Sequence, residues 1–421
     1  MAHAEVPEMM LELGALLGAD RVRRPTALEA AACETVVEPV NIEELAELVR
    51  RCEADRIALA PIGAARTLGR IRARPIQVGV SLLRMARVVA YEPEDMTVVA
   101  QAGLTLAALN QHLAVHRQQL PLDPPKPGLA TLGATIGAAK SGPLRHSEGL
   151  VRDLLIGIEF VGRDGRTIRA GGRVVKNVAG YDLMKVLAGS FGTLGIITEV
   201  CFKVRPLAQL YFIATEPHDS IADAFAAAAS LNDALPLSHL EATSAKVSGA
   251  FGHPGKFLVV AGLAGNEPER DYQKERISKI LVRGVEFLDA DRAIEVYQAL
   301  RDCEFPDSAV VAELAVLPAA LARCLSECGA EFRAHAGCGV AQIAAGGLSG
   351  AEQARRLVAR WRGIARSAHG HLRVIAAAPA LRDGLSCFDD PAPGALRLMR
   401  RLKAAFDPAG VFNPGCFVGG L

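Results

Sequence analysis

Residues Gly172 to Pro206 read GRVVKNVAGYDLMKVLAGSFGTLGIITEVCFKVRP, a short helix, a glycine-spaced turn and an apolar strand in immediate succession. Tyr181 to Ala188 carries Leu183, Val186 and Leu187 on one side, which is helical spacing. Gly189 stands where a helix hands over to a left-handed residue. The turn Gly189-Ser190-Phe191-Gly192-Thr193-Leu194-Gly195 follows, and Ile196 to Val204 is expected as a strand. Glycines at that density let a backbone approach a ligand closely and turn its N–H groups toward negative charge. The stretch reads as one wall of a cofactor pocket, with Gly189, Gly192, Gly195, Ile196 and Ile197 in contact. Lys176 and Asn177 are polar in an apolar run. They are expected either to meet cofactor or substrate, or to cap the helix that follows.

Two more stretches of small residues lie upstream. A strand at Val36 to Glu38 leads into a helix from Ile42 to Ala54, opened by Asn41 with Glu44 as a capping box. Ile57 to Ala60 is expected as the next strand. It runs into Pro61, Ile62, Gly63, Ala64, Ala65, Arg66 and Thr67, a small-residue loop suited to wrapping a diphosphate. Thr105 begins a helix ending near Ala114, and a proline-rich segment containing Pro124 is too stiff for helix or central strand. The third stretch, Ala130 to Gly142, is expected as a turn that brings Thr131, Leu132, Gly133, Ala134, Ile136, Gly137, Ser141 and Gly142 to the same ligand. Lys140-Ser141 suggests a P-loop, but Ala139 and Ala134 stand where that motif requires glycine. An Asp-Gly turn at 164–165 joins a hairpin.

The spelling KNVAGYDLMKVLAGSFGTLGIITE resembles the flavoproteins related to vanillyl-alcohol oxidase and the D-2-hydroxy-acid dehydrogenases. Within them it is most similar to the FAD-binding subunits of bacterial glycolate oxidases. The resemblance covers about Val36 to Pro206 and returns at Leu396 to Cys416, where Phe406-Asp407-Pro408 and Asn413-Pro414-Gly415 are similar to the family's closing motif. It implies an α+β chain: a two-part PCMH-type FAD-binding domain (1–206), an α+β cap with an antiparallel sheet and helices on one face (207–378), and a C-terminal return (379–421). Asn413 then joins the cofactor-binding residues. FAD is expected to be non-covalent, because positions 61–69 hold neither the His nor the Cys that tethers it in some of these flavoproteins.

Composition bounds the rest. Half of the 421 residues are hydrophobic and the net charge is +1, with no basic footprint for nucleic acid. No apolar run is long enough to span a bilayer, and the acid-bearing start is unlike a secretory signal. The expected location is cytoplasmic, with any membrane association through partners. Nine scattered cysteines without a CxxC pair fit reduced thiols better than disulfides or an iron–sulfur cluster.

In the resembling enzymes a 2-hydroxy acid loses hydride to flavin while a base takes the hydroxyl proton. The candidate bases are His335, read with no acid beside it, and His146. No metal set is expected, since His369 and His371 lack a third ligand. This thin inventory favours a subunit that binds FAD and passes electrons. Its partners would be a homologous catalytic flavoprotein and an iron–sulfur subunit, with glycolate or another 2-hydroxy acid as substrate. A free-standing D-2-hydroxy-acid dehydrogenase, or a scaffold that has lost its cofactor, are the other readings.

Overall fold

Asn41 opens the first long helix, accepting the Glu44 N–H at 2.8 Å, and Leu45, Leu48, Val49 and Cys52 form its buried stripe over Ile42–Asp55. The computed structural model describes residues 5–64, 67–71, 75–172, 182–208, 210–305 and 308–421. Strands Cys33–Val37, Ile76–Ser81 and Leu59–Ile62 pair in parallel, and Val22–Arg23 adds an antiparallel edge. The strand after this helix begins later than the sequence suggests, because Ile57 N still donates to Cys52 O at 2.8 Å and Ala58 N is taken by the Gln77 side chain.

A second sheet is antiparallel throughout, in the order Val88–Glu92, Thr97–Gln101, Ile196–Lys203, Leu155–Val161, Thr167–Gly171. One apolar core joins the two sheets, with Val78 and Val80 from the first and Ala100, Phe160 and Phe202 from the second. Residues 132–137 are a helix rather than a turn. Thr131 Oγ1 accepts the Ala134 N–H, while Leu132 and Ile136, one helical turn apart, sink into the core. The helix before the glycine turn is shorter than expected, Leu183–Leu187, with Tyr181 outside the described residues.

The C-terminal tail completes this unit. Leu59 donates to Val411 O at 2.9 Å and Asn413 N to Leu59 O at 2.7 Å, so the tail runs parallel beside the strand Leu59–Ile62. Lys403 Nζ lies among Asp407 Oδ2 (2.5 Å), Thr193 O (2.7 Å) and Phe412 O (2.8 Å). Asp407 also accepts the N–H groups of Val411 and Phe412 at 3.0 and 2.9 Å.

The cap is an eight-stranded sheet in which every pairing is antiparallel. Its order is Glu286–Asp289, Leu210–His218, Phe257–Gly265, His239–Thr243, Glu331–His335, Val340–Ala345, Val310–Ala315, His371–Ala377. Helices Ile221–Ala234, Pro318–Cys328 and Ala351–Ser367 bury Leu231, Leu325 and Trp361 on one face. Helix Ala290–Arg301 covers part of the other face through Val296 and Leu300, so helices are not confined to one side. Strand Glu331–His335 escapes a reading for apolar alternation, since its Arg333 and His335 point into a buried polar layer.

The Lys403–Asp407 contact is buried, so removing one partner strands the other. Asp407→Ala is expected to lower stability by about 3 kcal/mol. Urea unfolding followed by tryptophan-independent circular dichroism checks it, and a loss below about 1 kcal/mol would show that the clasp is incidental.

Candidate active site

The three small-residue stretches meet. A Cβ on Gly63 would lie 2.7 Å from Ala134 Cβ and 3.0 Å from Thr131 Oγ1, and one on Gly133 would lie 3.0 Å from Ala102 Cβ. Gly192, at φ +69°, passes so near Pro61 that a Cβ would sit 2.3 Å from its Cγ. Phe191 N donates to Gly137 O at 2.8 Å and Gly189 N to Ile136 O at 2.9 Å, tying the glycine turn to the short helix. Between these walls and the cap sheet lies a cavity of about 460 Å³, within the usual size of cofactor pockets.

Of the residues expected from sequence, Pro61, Ile62, Gly63, Ala64 and Thr67 line the cavity, with Pro124. So do Thr131, Gly133, Ala134, Gly137 and Ser141, and Gly192, Gly195 and Ile197. Leu132, Ile136 and Ile196 stand behind the wall as core residues. Gly142 packs on Asp123, where a Cβ would lie 2.1 Å from the carbonyl oxygen, and Gly189 braces the short helix. Asn413 is buried behind the turn, donating through Nδ2 to Phe191 O at 2.5 Å. Ala65, Arg66, Lys176 and Asn177 lie outside the described residues.

One physical expectation is corrected. The N–H groups of Leu132, Gly133 and Ala134 already donate to Leu104 O, Ala102 O and Thr131 Oγ1, so they do not face a ligand. The polar groups lining that side are the hydroxyl residues Thr67, Thr131, Thr135 and Ser141, with Lys140 beside them. The P-loop spacing fails at Lys140, and the hydroxyl-rich run around it is the signal in the sequence for this wall.

The cap contributes Glu313, Gln342 and Arg373, none of them singled out by sequence. Arg373 Nη2 pairs with Glu313 at 3.0 Å, and its guanidinium lies 5.6 Å from the centre of the Phe191 ring. At the rim, Arg70 and Lys126 both reach Glu304, at 3.0 and 3.6 Å.

His335 and His146 do not line this cavity. His335 belongs to a buried polar layer between cap and cofactor unit, and the reading that it lacks an acid is overturned. Its Nδ1 lies 2.6 Å from Glu241 Oε1, the directly opposite residue on the neighbouring strand. Sequence could not pair residues 94 apart. Burial pushes Glu241 up to about 7 and His335 well below its ordinary value, favouring a shared proton between two neutral groups. Tyr211 OH and His239 Nε2 lie 2.6 Å apart, and burial takes His239 down to about 4. Tyr297 OH donates to Asp123 Oδ2 at 2.9 Å, linking the cap to the proline-rich loop, and Asp123 also accepts the N–H groups of Gly142 and Leu144; burial raises Asp123 to about 7. His146 packs on Gly337 and Cys338, with its pKa lowered by burial.

With this geometry in view, the comparisons are specific. Residues 33–171 match the FAD binding domain family, and residues 391–416 match the C-terminal domain of FAD linked oxidases. The chain carries an FAD-binding domain. The glycolate oxidase subunit GlcE of Escherichia coli is 39% identical over 120 residues, 28% of this chain and 34% of that one. A mitochondrial D-lactate dehydrogenase (cytochrome) of Arabidopsis thaliana is 32% identical over 192 residues, 45% of this chain and 34% of that one. The glycolate oxidase subunit GlcD of Bacillus subtilis is 33% identical over 177 residues, 41% and 37% of the two chains. These matches span about a third of the length of the curated relatives.

Whole-chain likeness in fold extends to an alkyldihydroxyacetonephosphate synthase, with TM-score 0.73, 18% identity and coverage of 97% and 85%. It extends also to p-cresol methylhydroxylase, with TM-score 0.70, 16% identity and coverage of 98% and 97%. The α+β, PCMH-type architecture expected from sequence is the one observed. No helix among the described residues is long and apolar enough to cross a membrane.

The cavity fits an FAD: small residues from three segments line it, and a Cβ at Gly63 or Gly192 would clash with Ala134 or Pro61 and force those wall segments apart. Gly192→Val is therefore expected to lower the flavin retained after gel filtration by at least about tenfold, from both the clash and the positive φ. Full flavin content in a folded Gly192→Val protein would place the cofactor elsewhere.

Proposed function

We propose that the chain is the FAD-binding, electron-transferring subunit of a glycolate oxidase (glycolate dehydrogenase) complex. A homologous flavoprotein subunit oxidises glycolate or a related D-2-hydroxy acid, and an iron–sulfur subunit takes part in carrying the electrons on. The observation that carries this reading is the state of the acid–base groups where the cap meets the cofactor unit. His335 is turned to Glu241, His239 to Tyr211 and Asp123 to Tyr297, all away from the cavity, and the cavity's own Glu313 is paired with Arg373. A general base needs a lone pair within hydrogen-bond reach of the substrate hydroxyl. The similarity to GlcE supports the same assignment.

FAD, when bound, supplies the two-electron acceptor. The chain's own part is to hold it: Thr67, Thr131 and Ser141 as hydroxyl donors, Lys140 for charge, and Gly63 and Gly192 by letting the wall segments approach one another. The alternative, a free-standing D-2-hydroxy-acid dehydrogenase, draws on Arg373, whose Nε is buried without a partner at the cavity and suits a carboxylate. The cytoplasm is the proposed location, with membrane contact only through partners.

Anaerobic addition of glycolate or D-lactate to the purified chain distinguishes the two readings. The subunit reading expects the flavin absorbance to persist until the partner flavoprotein is added. Bleaching of the isolated chain would replace it by the alternative. Acid precipitation should leave all yellow flavin in the supernatant, because no His or Cys occupies positions 61–69; flavin on the pellet would show a covalent link.

A further inference from the structure

The C-terminal helix Pro393–Phe406 presents two unlike faces. Leu396, Met399, Leu402, Lys403 and Phe406 turn inward, with Phe406 stacked on Phe160 at 6.2 Å and Leu396 against Gly419. Arg397, Leu398, Arg400 and Arg401 turn outward, and Leu398 is 57% exposed. The helix contains no acid, and among the described residues none of the three arginines has an ion pair. That leaves a concentrated positive face on a chain whose net charge is only +1.

Its position gives the charge a meaning. Lys403 on the inner face donates to Thr193 O, inside the turn whose Gly192 and Gly195 line the cavity. The arginine face is thus about one helix diameter, roughly 10 Å, from the cofactor wall.

We propose that this face is the docking surface for an acidic, electron-carrying partner protein. Unpaired arginines around one exposed leucine match an interface anchor with a charged rim. A lipid surface is less suited, since the outward face offers a single large apolar residue. The electron-carrying part of the inference rests on the function proposed above; the docking part does not.

Calorimetric titration of the FAD-loaded chain with cytochrome b5, an acidic haem protein, and with cytochrome c, a basic one, provides the test. Binding is expected for cytochrome b5 alone, weakening by about tenfold or more from low to high salt. R397E/R400E/R401E should abolish it. R87E/R117E/R276E, the same charge change at exposed arginines elsewhere, should weaken it by less than about threefold. Equal losses in the two triple variants would overturn the proposal, as would absence of binding by the wild type. Sedimentation with phosphatidylserine vesicles in place of cytochrome binding, lost only in the helix variant, would assign the face to lipid instead. Flavin content and the response to glycolate, read on the same samples, report on the subunit reading separately.

Discussion

At Gly192 the backbone passes closer to the Pro61 ring than a Cβ would permit, and the joining of the two sheets of the cofactor unit depends on that approach. The turn, which leads into the central antiparallel strand Ile196–Lys203, rests on the ring of Pro61 in the parallel strand Leu59–Ile62. Gly63 against Ala134 and Gly133 against Ala102 repeat the arrangement. These three close approaches border a cleft whose wall along residues 131–141 is lined by small and hydroxyl-bearing residues, with Lys140 beside them. An adjustable surface loop would not keep such a shape. Here each turn is fastened to a core element: residues 132–137 by Leu132 and Ile136, residues 189–195 by hydrogen bonds to Ile136 and Gly137.

The opposite wall follows different physics. The inner face of the cap sheet carries His239, Glu241, Arg333 and His335, all buried, where an all-apolar face would have packed more simply. Burial of ionisable groups is tolerated when they neutralise or pair. Glu241 with His335, Tyr211 with His239, and Tyr297 with Asp123 do this pairwise. The last pair crosses between cap and cofactor unit, so the layer also fixes how the sheet sits over the cavity. A polar interface of this kind specifies orientation more sharply than apolar contact does, because misalignment leaves several buried groups without partners.

Local pattern was legible in the sequence wherever one side of an element is apolar. The helix at 42–55, capped by Asn41, and the hairpin around Asp164-Gly165 needed nothing beyond neighbours in the chain. The glycine turn at 189–195 was legible too, because positive φ leaves a compositional mark. What escaped depends on distant partners. Strand Glu331–His335 alternates apolar with charged residues that are themselves buried, so its pattern resembles a surface loop. Arg373 and Glu313 become cavity residues only when their neighbouring strands pair. The short helix at 132–137 misled in the other direction: glycine and threonine suggest a turn, and the deciding feature is the burial of Leu132 and Ile136.

Asn413 bears on how the molecule comes into being. Its backbone extends the parallel sheet and its amide holds Phe191, a residue 222 positions earlier. During synthesis the back of the cofactor unit therefore remains uncovered until the whole cap, which precedes Asn413 in the chain, has been made. Loop closure over such a separation is slow relative to local folding. The back of the cofactor unit is thereby completed only by the last residues made, and a prematurely ended chain would lack the segment that pairs with Leu59 and holds Phe191.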